Sequence, residues 1–470
     1  MHAVSFPASQ DLEKRDVARP PLSRRHEPPE DAHGTPRRTL ALAALLLGGQ
    51  AACGGMPIEA PQVGSIYDIA QLAPGWTGEI VATVEQSYAG WDVEIGDADG
   101  DGRPEILTGT APDSWLQLHR WRDGAWQTRT LMTETAGNGA GLLLGVRVVD
   151  VERDGVPEIL AGTGQDGGGT AWLHVLQTDG ESITGRTSLR APENTSSYTH
   201  GLATADLDGD GLVEVISAYC GNGEVIRYDV APQLASIASR KVLQLSGSGE
   251  DAWLSDVDGD GAVELVLSNG FRAGKARVQI HDLDPTTGDP QPKPRVVIDG
   301  FDGERAFYAS LAVGDMDDDG RPELVVGWKA VQTVNEASLV AYHIEGQSAK
   351  LAYVLTRKDP ELDLGYFEKM IAFADVDDDG RTEVLVSTRG DGLSESIPSL
   401  GLGHVLAFRV ERDGHVSRQQ VVAFNRDLVG SSWLAVGDAD GDGRTEVVLA
   451  TGSGERTRRG TSWVVALRHD

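Results

Sequence analysis

A nine-residue phrase written seven times constrains this chain more than any other feature. Its last copy reads Asp438-Ala439-Asp440-Gly441-Asp442-Gly443-Arg444-Thr445-Glu446, with carboxylates at positions one, three, five and nine and glycine at six. Earlier copies begin at Asp97, Asp150, Asp206, Asp256, Asp315 and Asp375, so successive starts lie 53, 56, 50, 59, 60 and 63 residues apart. Each copy runs into a short apolar segment such as Leu324-Val325-Val326 or Val447-Val448-Leu449. A repeat of this period means a solenoid, a propeller or an array, and it overrides the 470-residue length as a guide to domain count.

Alternating aspartates place three carboxylates on the inside of one tight loop, where they repel each other and raise each other's pKa. A hard divalent cation removes that repulsion, and calcium accepts six to eight oxygens at flexible geometry. Glycine at position six (Gly102, Gly155, Gly211, Gly261, Gly320, Gly380, Gly443) permits the sharp turn that returns the later ligands. The expected ligands are Asp97, Asp99, Asp101 and Glu105; Asp150, Glu152, Asp154 and Glu158; Asp206, Asp208, Asp210 and Glu214; and Asp256, Asp258, Asp260 and Glu264. The later blades supply Asp315, Asp317, Asp319 and Glu323; Asp375, Asp377, Asp379 and Glu383; and Asp438, Asp440, Asp442 and Glu446. Up to seven Ca2+ ions follow, and the all-oxygen donor set disfavours zinc.

The plainer reading is seven acidic turns. Seven in-phase copies, each ending in glutamate, weigh against it. An EF-hand needs glutamate at position twelve and flanking helices. Position twelve here is Thr108, Ala161, Ser217, Leu267, Val326, Val386 or Leu449, which excludes it.

The apolar entry, acidic loop and β-branched exit, as in Leu311-Ala-Val-Gly-Asp315 followed by Glu323-Leu-Val-Val-Gly327, resemble the FG-GAP/VCBS repeats of integrin-like β-propellers. The resemblance covers about residues 75–470 and is fullest in repeats one, five and seven, which keep a glycine before the first aspartate (Gly96, Gly314, Gly437). Glutamate replaces the family's usual ninth-position aspartate, and repeat two departs further with Glu152 and Arg153. The resemblance implies a propeller but no particular activity, since one fold hosts many functions.

Each repeat offers four strand-like runs, clearest in the third at 201–205, 213–219, 224–229 and 241–245. Four antiparallel strands per unit is the propeller plan. The seventh repeat has room for only three before Asp470, while an orphan run at 79–85 precedes the first. The expected fold is therefore all-β: a seven-bladed β-propeller with a calcium loop between the first two strands of each blade. The last blade is closed by the N-terminal strand, which removes an open edge.

Residues 1–52 read as a leader. The polar stretch 1–36 lacks hydrophobic periodicity. Arg37-Arg38, an apolar run from Leu40 to Leu47 and Ala-Ala-Cys53-Gly then carry the parts of a secretory signal with a lipoprotein-like processing site at Cys53. The run is too short to span a bilayer. Residues 53–74 read as a tether and 75–470 as the propeller. The only other cysteine, Cys220, reads as a buried small hydrophobe. The implied location is exported: anchored at the outer membrane, periplasmic or at the cell surface, with membrane contact only through lipid on Cys53.

The formal net charge is −31, and the seven motifs supply 28 of the 72 acidic residues. Most of that net charge is therefore read as metal-ligand charge, and nucleic acid, which needs a basic footprint, is not an expected partner. The face opposite the acidic loops carries the long segments 162–169, 192–200, 328–337, 358–369, 390–403 and 452–460, where binding is expected. The reading favoured here is a monomeric, non-catalytic surface module for a glycan or protein. Two alternatives stand beside it, a polysaccharide-acting enzyme and a structural component of an envelope complex. Tyr198, His200, Tyr308, Tyr366 and Lys369 are the residues an enzyme would use for proton abstraction. Trp328 and Trp91 are the candidate sugar platforms.

Overall fold

In this computed structural model the described residues are 64–470, apart from 86–87, 112–114, 134–141, 165–170, 192–198, 271–274, 304–305, 330–336, 363, 365–368, 389–402, 412, 425–429 and 453–460. The leader and Cys53 lie outside them. Among the described residues helix is confined to two three-residue 3-10 turns, Ile66–Asp68 and Pro232–Leu234. Everything else is strand and turn.

The strands form seven antiparallel sheets. The first blade runs Tyr88–Gly96, Glu105–Ala111, Trp115–Arg122 and Ala125–Thr133, from inside to outside. Blades two to six repeat that order, with inner strands Leu142–Val149, Thr199–Ala205, Ser248–Ser255, Tyr308–Gly314 and Ile371–Ala374. Each inner strand packs on the next, and the seventh, Gly430–Gly437, packs on the first, so the ring is complete. The protein is a seven-bladed β-propeller.

The second strand of each blade reads as a nearly continuous apolar run because both its faces are covered. Glu264–Gly270 and Glu323–Lys329 are buried at every position. Outer strands such as Ala125–Thr133 alternate or are largely exposed. Blade-to-blade packing builds seven apolar clusters in place of one central core.

The glycines before the acidic loops answer to this packing. A Cβ on Gly96 would stand 2.9 Å from Cβ of Val148, and one on Gly314 would stand 2.6 Å from Cγ of Phe373. The side chain of the following blade occupies the space that the missing Cβ leaves.

The seventh sheet draws its fourth strand from the other side of the sequence. Trp76–Glu85 lies antiparallel to Thr461–His469, with Trp76 opposite His469 and Glu85 opposite Thr461. Val81, Ala82 and Val84 are buried with Val464 and Ala466 in one cluster. The stretch expected as a tether also contributes: Ala70–Leu72 adds a fifth strand to the sixth sheet, opposite Val422–Phe424, and Ile66 and Ile69 are buried. Cys220, expected to be buried, follows the end of strand Glu214–Tyr219 and is only half-buried.

Candidate metal loops and the central cavity

The seven acidic loops share one hydrogen-bonding plan. The ninth-position glutamate turns one oxygen back to accept the backbone N–H of position two. Glu105 accepts from Ala98, Glu214 from Leu207 and Glu446 from Ala439, at 2.9, 2.7 and 2.8 Å. Glu158, Glu264, Glu323 and Glu383 do the same for Val151, Val257, Met316 and Val376. The first aspartate accepts the N–H of the sixth-position glycine, as Gly102 donates to Asp97 and Gly443 to Asp438 at 3.0 Å. These bonds fix the turn whether or not a ligand is present, and the sixth-position glycines hold the left-handed backbone that the turn needs.

The loops abut one another around the ring. Thr382 Oγ1 donates to Asp318 at 2.9 Å, Arg153 lies 3.3 Å from Asp206, and Gly441 abuts Pro104. The carboxylates converge within the loops. Oxygens of Asp97, Asp99 and Glu105 lie within 4.8 Å of one another, as do those of Asp315, Asp317 and Glu323. In the third, fourth and sixth blades the groups are Asp206, Asp208, Asp210; Asp256, Asp258, Asp260; and Asp375, Asp377, Asp379. Burial pushes Glu105, Glu264, Glu323 and Glu446 up to about 7, and the neighbouring aspartates add to the shift. Glu158, Glu214 and Glu383 are raised by burial as well.

Whether this set suits a divalent cation can be judged from its unsatisfied atoms. Oδ1 of Asp97, Oδ1 of Asp208 and Oε1 of Glu446 are buried without a hydrogen-bond partner. A buried anionic oxygen left this way is costly, and a cation among the carboxylates supplies what it lacks. The loops fit a hard oxygen-seeking ion. Glu152 is the exception, because its two oxygens accept from Gln233 N and Leu234 N at 2.8 and 2.7 Å. They cap a turn in the third blade, which gives the second loop's departure in sequence a structural meaning.

Sequence reasoning overlooked the arginines beside these loops. Arg227, Arg295 and Arg409 each pair with loop carboxylates, Arg227 with a side chain only 2 % exposed. They carry no fixed spacing from the motif. The weak signal was a polar residue across from the ninth-position glutamate in an otherwise apolar third strand.

A cavity of about 440 Å³ lies on the ring axis, lined by inner strands of all seven blades. Most of its lining residues are apolar, among them Ile95, Trp253, Leu254, Val313 and Phe373, but polar atoms make up about half of the surface they present, and its charged residues are Glu94, Arg147 and Lys369. Lys369, a left-handed residue just before the sixth blade, donates to Val93 O, Glu94 Oε2 and Val146 O at 2.9, 2.7 and 2.7 Å. It also lies 2.9 Å from Asp92 Oδ1. Its ammonium is fully committed to the first and second blades.

Of the other residues named for the opposite face, Tyr308 and Trp328 are described with their side chains. Tyr308 is buried in the fifth blade. Tyr198 and Tyr366 lie outside the described residues, and the side chains of His200 and Trp91 do as well. Trp328, expected as a sugar platform, is 3 % exposed and packs in a blade-to-blade cluster. It belongs to a strand buried on both faces, not to the loop that follows.

Fold and loops together define a class of protein, the repeat β-propeller with an acidic loop in every blade. Within that class, residues 97–161, which span the first two acidic loops, match the model of the FG-GAP-like repeat family, and with the seven-bladed fold this match supports an FG-GAP repeat β-propeller. No curated protein matches the chain.

Proposed function

We propose that this chain is an exported, calcium-binding β-propeller that acts as a non-catalytic surface module for a glycan or a protein partner. The observation that carries the calcium reading is the buried, partnerless oxygen of Glu446 in a loop whose other carboxylates are already shaped by backbone bonds. Calcium, with six to eight oxygen ligands and flexible geometry, suits such a loop. When bound it neutralises the aspartates and joins loop to blade. The residues around it hold the turn and keep the glutamate oriented.

Partner binding is assigned to the face opposite the loops, where variable segments stand on a rigid frame. A non-catalytic role is favoured because Lys369 serves as a strut and Tyr308 is core. The leader supports export with a lipid on Cys53, and the propeller is read as a monomer. A glycan array and a pull-down with the full chain, each with millimolar calcium and with chelator, test the proposal. Capture of one ligand class that chelation weakens is expected. Turnover of a polysaccharide, or equal and indiscriminate capture in both conditions, contradicts it.

A further inference from the structure

In three of the seven acidic loops a cation of the chain's own already bridges two of the carboxylates. In blades three, four and six one arginine faces the same two groups, the third-position aspartate and the ninth-position glutamate. Arg409 lies 2.9 Å from Asp377 Oδ2 and also pairs with Glu383. Arg227 lies 2.7 Å from Asp208 Oδ2 and 3.5 Å from Glu214 Oε1. Arg295 lies 2.6 Å from Asp258 Oδ2 and 3.2 Å from Glu264 Oε1.

The three arginines reach this place by different routes. Arg409 follows Phe408, which is opposite Val384, and so stands across from Glu383. In blade four the residue opposite Glu264 is Asp282, and Arg295 comes from beyond the third strand to pair with both. In blade three Arg227 sits within the third strand, Glu224–Val230, and bridges Glu214 and Asp229. One endpoint reached from three sequence positions indicates that the charge matters, not the register.

Loops one, five and seven lack this bridge. Arg122, a third of its side chain exposed, lies 2.6 Å from Asp101 and 3.7 Å from Asp99 but does not reach Glu105, and Arg120 is paired with Glu181. Glu323 faces His343, and Arg468 reaches only Asp442, at 3.2 Å. In loops one and five the glutamate joins two aspartates in the three-carboxylate group, whereas the groups of blades three, four and six contain aspartates alone. Glu446 is 4 % exposed with its Oε1 unpartnered.

Resting on the reading that the loops take calcium, we infer that they do so in two tiers: blades one, five and seven bind tightly, while in blades three, four and six a guanidinium stands in for the ion on its aspartate–glutamate pair. A largely buried guanidinium held on both groups lowers the affinity of a divalent ion beside it by about tenfold or more. The charges of Arg122 and Arg468 are more exposed, better screened and leave the glutamate free. The bridging guanidinium also withdraws two oxygens from a shell that needs at least six. The clamped blades then keep their loops without metal, and calcium-dependent stiffness is concentrated in blade five and at the junction of blades seven and one.

Calcium titration calorimetry and equilibrium dialysis on the full chain decide this, using wild type, Arg409→Gln, Arg295→Gln and His343→Arg. Wild type should show two classes of site. Each arginine removal should move one ion into the tight class, about tenfold tighter than before. His343→Arg, which places a guanidinium across from Glu323 as Arg409 stands across from Glu383, should remove one ion from that class. In chelator Arg409→Gln should melt below wild type, with the difference recovered in millimolar calcium. If either arginine removal fails to fold, His343→Arg decides the matter. A single uniform class of sites, or titrations unchanged in the variants, overturns the two tiers. Failure of the wild type to bind calcium at all overturns the metal reading beneath them.

Discussion

Lys369 Nζ stands 2.9 Å from Oδ1 of Asp92, joining the edge of the sixth blade to the inner strand of the first across the seventh. Asp92 is fully buried, and its other oxygen accepts from Val146 N in the second blade. Three blades thus meet at one ion pair on the axis. Removing one partner of a buried pair strands the other charge, which typically costs about 3–5 kcal/mol. Lys369→Met should lose that much by denaturant unfolding, and Asp92→Asn in the same chain should return part of it. A near-neutral single substitution would mean that the pair does not tie the ring.

The contact of Gly314 with Phe373 gives a steric test of blade packing. Alanine at 314 puts a methyl where the ring stands, so Gly314→Ala should cost about 1–3 kcal/mol. Phe373→Ala in the same chain should relieve the clash and leave a coupling of about 0.5–3 kcal/mol. Strict additivity in this double-mutant cycle would show that glycine is there for the turn, not for the neighbouring blade.

The strand Trp76–Glu85 should matter more than its position in the sequence suggests. Trp76 is buried against the sixth and seventh blades and meets His469 edge-on at 5.4 Å between ring centroids. Trp76→Ala should cost about 3–5 kcal/mol. Deleting 75–85 should destabilise the propeller far more than deleting 54–63. Thermal melts of the two deletions compare them directly, and equal midpoints would contradict the assignment.

Much of this was legible in the sequence, for a reason specific to the repeat. Asp, Gly and Glu at fixed offsets report a loop directly, and the run at 79–85 lacked a partner until the seventh blade was counted. The pairing of Trp76–Glu85 extends that run by three residues. Contacts that join distant positions without a fixed offset were not legible. Arg295 is 37 residues from Asp258, and Lys369 is 277 from Asp92. Trp328 looked like a loop residue because its strand ends at Lys329, yet burial continues to that end. Glu152 looked like a weak ligand, while its carboxylate caps a turn 81 residues away.

Glu446 separates the metal-free from the metal-bound state by pH. Burial raises it from 4.5 to about 7. A raised carboxyl favours the folded state below the unfolded value, and that contribution is lost as pH rises through the folded one. In chelator, Glu446→Gln should therefore melt above wild type at pH 7.5 and match it near pH 5. In calcium the order at pH 7.5 should reverse, because the amide is the poorer ligand. The same order in both conditions would exclude Glu446 from the metal site.

The central claim is that these loops hold calcium and that the ion supports the fold. Extracellular calcium modules bind at about 10⁻⁴ to 10⁻³ M. At the tighter limit and about 1 mM free calcium, one independent site adds about 1.4 kcal/mol. Thermal unfolding in millimolar calcium and in chelator, with bound metal counted by elemental analysis, tests it most directly. The account predicts a clearly lower midpoint in chelator, more so at low salt where carboxylate repulsion is less screened. Superimposable melts with no bound calcium would show that the seven loops are acidic turns and nothing more.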